Sequence, residues 1–259
     1  MSMHHSSSLA RSTTKTLVPK HDLRSKGPAN RPQVRRYTTT TLLPNGDICE
    51  TRHLAPALPL FEDAFCALAR GTLIDTDMGP VAVEDILPGD RVITGDGSLE
   101  EVIWKGNVTI VPGLKHAQKR DMRLTPFTPD SLGMSRPMSS IICGPSARLL
   151  HPTSQFSTLS AGNRVLSPVR NFVDGVNIIE TAPPTAVELY HICLPRHAML
   201  RIGAMEFESY HPGTQSSRMI SHAMRSLFLN LFPHVDTVGG FGPLAFPRVG
   251  DGQVDAIEA

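Results

Sequence analysis

The chain has 259 residues, of which 40% are hydrophobic and 5% aromatic, with one Trp and a formal net charge of +1. That length accommodates one large domain with appendages or two small ones around an aliphatic core. The balanced charge gives the whole chain no electrostatic claim on nucleic acid or lipid, and no apolar run approaches the roughly eighteen residues of a membrane span.

Charge is unevenly placed. Residues 1–36 hold eight Lys/Arg against the single Asp22, a net of +7, which leaves the remainder at 17 − 23 = −6. Ser, Thr, Pro and Lys dominate this stretch and no apolar period runs through it, so it reads as a disordered, solvated basic tail. His4-His5 stands outside fold reasoning whether natural or not. The absence of an apolar leader points to the cytoplasm, with secretion by a signal-less route left open. Residues 37–64 form a lead-in. Tyr37–Leu43 and Ile48–His53 are β-rich runs separated by Pro44-Asn45-Gly46-Asp47, a strong hairpin signal because Asn and Gly tolerate left-handed backbone angles. Ala55 to Pro59 reads as an extended linker. Leu60 to Ala69 reads as a short helix with Phe61, Phe65 and Leu68 on one face.

Between Ala69 and Gly97, the short apolar runs Thr72–Asp75, Val81–Val83 and Arg91–Thr94 alternate with Asp77–Pro80, Leu87–Asp90 and Gly95–Gly97. Gly supplies positive φ and Pro presets φ near −65°, so these are turns between short strands. The residues Gly71-Thr72, Ile74, Gly79, Val83-Glu84-Asp85, Leu87-Pro88-Gly89-Asp90, Thr94 and Asp96-Gly97, followed by Val102-Ile103-Trp104-Lys105-Gly106, resemble the opening of a Hint (hedgehog/intein) domain. The likeness is to the bacterial, non-intein branch. It implies an all-β Hint fold of many short antiparallel strands, here with an N-terminal hairpin and a C-terminal helix.

The resemblance also implies a chemistry. In active Hint domains a cysteine at the start of the first strand attacks the carbonyl of the preceding residue, and this N-to-S acyl shift yields a thioester. A Thr-x-x-His element supplies the imidazole that protonates the departing nitrogen. The family pattern Cys-x-x-x-Gly-Thr, counted back from Gly71-Thr72, puts the cysteine position on Ala67; Cys66 is one residue early. On a strand that offset sends the side chain to the other face, whereas at a helix end it is more easily absorbed. The second element aligns with Ser140-Ile141-Ile142-Cys143, Gly144-Pro145-Ser146-Ala147-Arg148 and Leu149-Leu150. Gly144 stands where a hydroxyl is expected and Ala147 where the imidazole is expected. Alanine can neither donate a proton nor polarise a carbonyl. His151, four residues beyond Ala147, reads as a strand-end histidine, and a substitute Cys143–His151 pair is the lesser alternative.

Farther on, Val165–Pro168 and Val176–Thr181 flank the Asp174-Gly175 turn, and Ala186–Leu194 is β-prone. Tyr190–Leu200 resembles the family's closing hairpin, and Glu208-Ser209-Tyr210-His211-Pro212-Gly213 its ending. His191 and His197 are separated by Pro195 and read as packing and turn residues rather than a metal pair. Arg218–Phe232 spaces Met219, Ala223, Leu227 and Leu231 along a helical face, with Ser216 or Ser217 as N-cap. Beyond it the acidic tail reads as extended, then disordered. Cys49, Cys66, Cys143 and Cys193 are scattered without a C-x-x-C pair, and the eleven histidines supply no zinc-type spacing. Reduced thiols, no metal and no cofactor are the expectation.

The division expected is a basic tail over 1–36, a hairpin and helix over 37–64, a Hint domain over 65–213 and a C-terminal helix and tail over 214–259. Two functional readings stand. One is a catalytically degenerate module acting as a scaffold or binding domain for a protein partner, without nucleic acid. The other is a self-cleaving domain performing the acyl shift at Cys66.

Overall fold

Asn45-Gly46 reverses the chain between β2 (Val34–Leu42) and β3 (Ile48–Pro56) in a computed structural model, which describes residues 10–16, 33–112, 122–152, 164–213, 221–249 and 254–255. Gly46 sits at φ 85°, an angle that costs little without a Cβ. The Asn45 side chain accepts from the Asp47 N–H and donates to its carboxylate. Along β2, Tyr37, Thr39 and Thr41 alternate inward.

The hairpin is continuous with a larger sheet. On its other edge β2 pairs with β9 (Trp104–Ile110), from Tyr37↔Val108 to Thr41↔Trp104. The sheet continues through β14 (Val187–Cys193), β4 (Leu68–Ala69), β11 (Ile141–Cys143) and β10 (Thr125–Phe127). Its far edge is β1 (Ala10–Thr16), parallel to β3. The segment 1–36, expected to be disordered, therefore contributes β1 and the first residues of β2. Ser12-Thr13-Thr14-Lys15-Thr16 is rich in β-branched Thr, and an edge strand gains from its ladder without an apolar period of its own. Residues 1–9 and 17–32 lie outside the described residues.

A second sheet runs in the order β15 (Met199–Ile202), β16 (Met205–Glu208), β12 (Arg148–Pro152), β13 (Arg164–Pro168), β17 (Arg248–Val249), β18 (Val254–Asp255). A third holds β6 (Gly79–Ala82), β5 (Leu73–Thr76), β7 (Arg91–Ile93) and β8 (Leu99–Glu101). Among the described residues, the pairings between these strands are antiparallel except β1 with β3 and β13 with β17, and strands dominate over the few helical turns, an all-β fold. No helix among the described residues is long and apolar enough to cross a membrane.

Three segments depart from expectation. The helix over Leu60–Ala69 is a single turn, α1 (Pro59–Glu62). Phe61, Phe65 and Leu68 are all buried, but from Ala67 the backbone is taken by the sheet: its N–H donates to Tyr190 O, and Leu68 pairs with Tyr190 and Cys143. Val176–Thr181 is not a strand. The Asp174 carboxylate accepts from the N–H groups of Val176, Asn177 and Ile178, winding the segment so that only Ile178 and Thr181 bridge to Phe127 and Leu124. The Tyr190–Leu200 run is split between two sheets at Pro195, and the hairpin there is β15–β16 around Gly203-Ala204.

The C-terminal helix α2 spans His222–Leu229, capped by Ser221, whose hydroxyl accepts from Met224 N–H at 3.3 Å. The expected caps Ser216 and Ser217, and Met219, lie outside the described residues. Ala223 is exposed, and the packed face is Met224, Leu227 and Phe228, continued by Leu231 and Phe232 beyond the helix. Beyond the helix, the Leu231 carbonyl accepts from Trp104 Nε1–H at 2.7 Å.

Among the described residues the core has two large apolar clusters and a small third: the first holds Ala67, Ala147, Phe127, Ile192 and Phe207, the second Tyr37, Phe61, Phe65, Cys66, Trp104, Phe228 and Phe232, and the small one Leu150, Leu166 and Met199. Lys105 ties β9 to the Val83–Ile86 turn. Its amine donates to the carbonyls of Val83 (3.3 Å), Glu84 (2.7 Å) and Ile86. Burial lowers its pKa, against the pull of Asp85, Asp90 and Glu84. Lys105→Met strands those carbonyls, and a loss of about 2–4 kcal/mol is expected in urea denaturation.

Candidate functional site

The motif residues first build turns. Gly71, at φ 85°, donates its N–H to the Glu84 carboxylate at 2.8 Å, and the Thr72 hydroxyl donates to Ala69 O at 2.7 Å. Asp90 accepts from Leu87 N–H at 2.7 Å, and Gly89 N–H donates to Val102 O at 2.8 Å.

Cys66 to Ala69 threads between β14 and β11. Ala67 N–H donates to Tyr190 O at 3.2 Å, and Ala67 O accepts from Gly144 N–H at 2.7 Å. Cys66 O accepts from Ser146 N–H at 3.1 Å, so the peptide group joining Cys66 and Ala67 is bonded at both ends. The 144–147 turn closes on itself through Ala147 N–H to Gly144 O at 3.2 Å. The structure thus brings the two halves of the sequence-derived site together, Ala67 against the Gly144–Ala147 turn.

The side chains tell the rest. Ala67 and Ala147 are both buried in the first apolar cluster, while Cys66 lies in the second, beside Phe65, Tyr37 and Trp104. The one-residue offset therefore sends the Cys66 side chain into a different cluster from Ala147. Burial raises the Tyr37 phenol pKa, with Glu62 and Cys66 adding to the rise. A Cβ built on Gly144 would lie 2.9 Å from the Cys66 carbonyl carbon and closer still to its oxygen. At the family's hydroxyl position the present backbone leaves no room for any side chain. The sequence shows that the hydroxyl is missing; that glycine is sterically required there became visible only in three dimensions.

Other sequence candidates have separate partners. Cys143 is buried in β11, which pushes its thiol pKa up. His151 is in the second sheet, its Nε2 2.8 Å from Ser167 Oγ and its ring edge-on to Phe172; burial lowers its pKa. His191 Nδ1 donates to Asp63 O at 3.0 Å. His197 accepts from Ala245 N–H at Nδ1 (2.8 Å) and, in that tautomer, donates from Nε2 to Glu208 at 3.0 Å. Among the described residues no group of three or more His, Cys, Asp or Glu side chains could hold a metal ion, and all four cysteines are free thiols.

A buried ionic cluster escaped sequence reasoning. Burial alone would raise the Glu208 pKa, but Arg248, donating at 2.8 Å, and His197 hold it well below the usual carboxylate range. Arg248 also donates to His211 O at 2.7 Å, and His211 takes Gly213 N–H at Nδ1 and gives Nε2–H to Gly242 O. This cluster fastens the C-terminal segment to the β-body.

A sequence profile of the Hint domain matches residues 66–214, more than half of the chain. No curated protein matches. Similar solved structures include a bacterial intein-like domain from Clostridium thermocellum, 14% identical over 56% of this chain and 99% of that one, TM-score 0.35. The MchDnaB-1 intein is 16% identical over 56% and 100%, TM-score 0.33. The AceL NrdHF class 3 split intein, in a splice-inactive variant, is 13% identical over 55% and 97%, TM-score 0.35. With the motif residues in place and the profile spanning the β-body, the chain belongs to the Hint domain family.

Proposed function

We propose that this Hint domain is catalytically silent and serves as a scaffold or binding module for a protein partner. What supports the reading is the junction itself. Ala67 and Ala147 put two methyl groups where an acyl shift needs a thiol and a proton donor, and Gly144 leaves no room for a Cβ beside the Cys66 carbonyl. Cys66 is buried in the other cluster.

The full chain is expected to keep its mass of 28.2 kDa with and without dithiothreitol. A fragment ending at Phe65 in the denatured sample, abolished by Cys66→Ala, would overturn the reading in favour of autoprocessing at Cys66. Restoration gives the complementary result. Ala67→Cys with Ala147→His should produce thiol-dependent cleavage, while either change alone gives little, because nucleophile and proton donor act as a unit. Both positions are tightly packed, so circular dichroism of the double variant must first show a folded protein.

A further inference from the structure

We propose that the Hint body holds its N-terminal flank, residues 33–65, without needing the peptide bond at the junction, so that cutting the chain there nicks the protein and releases nothing. The inference is independent of whether the junction is ever cleaved naturally.

The surface that receives the flank has two parts. One is the edge of β9, to which β2 adds as a strand over five register pairs, with a further bond from Leu42 N–H to Ile103 O at 2.9 Å. The ladder satisfies main-chain groups on both strands whether or not the chain is continuous. The other is an aromatic seat. Phe65 lies 5.6 Å from Trp104 of the body and 4.5 Å from Tyr37 within the flank, and β9 carries Gly106 against its ring. A Cβ at Gly106 would come within 2.6 Å of Phe65 Cδ1, so the glycine makes the space that the ring fills. Phe61 reaches Phe228 of α2 at 6.5 Å, and His191 donates to Asp63 O. Tyr37, Phe61 and Phe65 have no exposed surface.

Within the flank, Arg35 and Glu62 form a largely buried ion pair at 3.2 Å. By the ladder and the aromatic seat, whatever precedes residue 33 is tethered to the β-body, and the module retains its N-terminal neighbour.

The test cuts the full chain. A site-specific protease recognition sequence is inserted between Arg70 and Gly71, both exposed, and the purified protein is cleaved; the N-terminal piece then carries β4 as well as the flank, and the alanine variants below separate the flank's share. In native buffer at about micromolar concentration the two pieces should co-elute in gel filtration, and in urea they should separate. Separation in native buffer overturns the proposal. A second variant, with the recognition sequence in the exposed Asn45-Gly46 turn, asks the same of β2 alone should the first insertion impair folding. Phe61→Ala with Phe65→Ala in the cut protein should weaken retention at least roughly a hundredfold. Full retention despite both changes would overturn the aromatic seat. Intact mass under denaturing conditions reports cleavage and gel filtration reports release, so failure here is distinct from failure of the silent-module reading.

Discussion

Gly144→Ala is expected to lower the stability of the domain by about 3 kcal/mol or more, a large effect for one methyl group. The atom in its way is the Cys66 carbonyl, which is backbone and bonded to Ser146 N–H. Relieving the overlap means moving the strand that carries Ala67, whose N–H and C=O are both engaged by neighbouring segments. Gly97→Ala is the control. Its Cβ would meet nothing within 4 Å, and only its φ of 83° is strained, so a loss nearer 1 kcal/mol is expected. Urea midpoints compare the two, and a Gly144→Ala loss no larger than the control would mean that the junction yields easily. Gly144→Thr, the change the family pattern invites, should be worse than alanine, which is why restoration of chemistry leaves that position alone.

Acid should destabilise the protein steadily between pH 6.5 and about 4. Burial drives the His211 pKa down from 6.5 to about 4, and that of His234 likewise to about 4; burial also lowers His151 and His191. A histidine whose folded pKa is depressed binds its proton more readily in the unfolded chain. Its neutral form thus contributes fully above the unfolded value, and stability falls as pH drops through the window. For His211 the loss approaches about 3 kcal/mol. The structural cause is explicit: protonating Nδ1 removes the acceptor of Gly213 N–H. Glu208, held below the usual carboxylate range, acts in the same direction at lower pH. His211→Gln can still accept and donate but does not titrate, so it should flatten the pH dependence of the urea midpoint. A midpoint constant from pH 7 to 4.5 would sink the prediction.

How much of this was legible in the sequence depended on whether the deciding interaction was local. Asn45-Gly46, Gly71-Thr72 and Leu87–Asp90 announce their turns because the bonds that make them span few residues. The helix expected over Leu60–Ala69 failed because the apolar spacing cannot reveal that Tyr190, more than a hundred positions away, claims the backbone at Ala67. Asp174 is the converse: its side chain outcompetes a strand that Val176–Thr181 would otherwise favour. At the site, Ala67, Gly144 and Ala147 were identifiable by alignment with a known pattern, and the side chosen by Cys66 was not. The Glu208–Arg248–His197 cluster joins residues from two strands and a connecting loop and leaves no mark on any one stretch.

The single Trp of the chain, Trp104, is fully buried on β9 and donates its indole N–H to Leu231, beside Phe232 at 4.7 Å and Tyr210 at 5.9 Å. Its fluorescence is thereby an optical gauge placed where the flank, the β-body and the C-terminal segment meet. Emission should be blue while all three are seated. It should redden when the C-terminal segment lifts and water reaches the ring, allowing detachment of that segment to be followed in real time without a label.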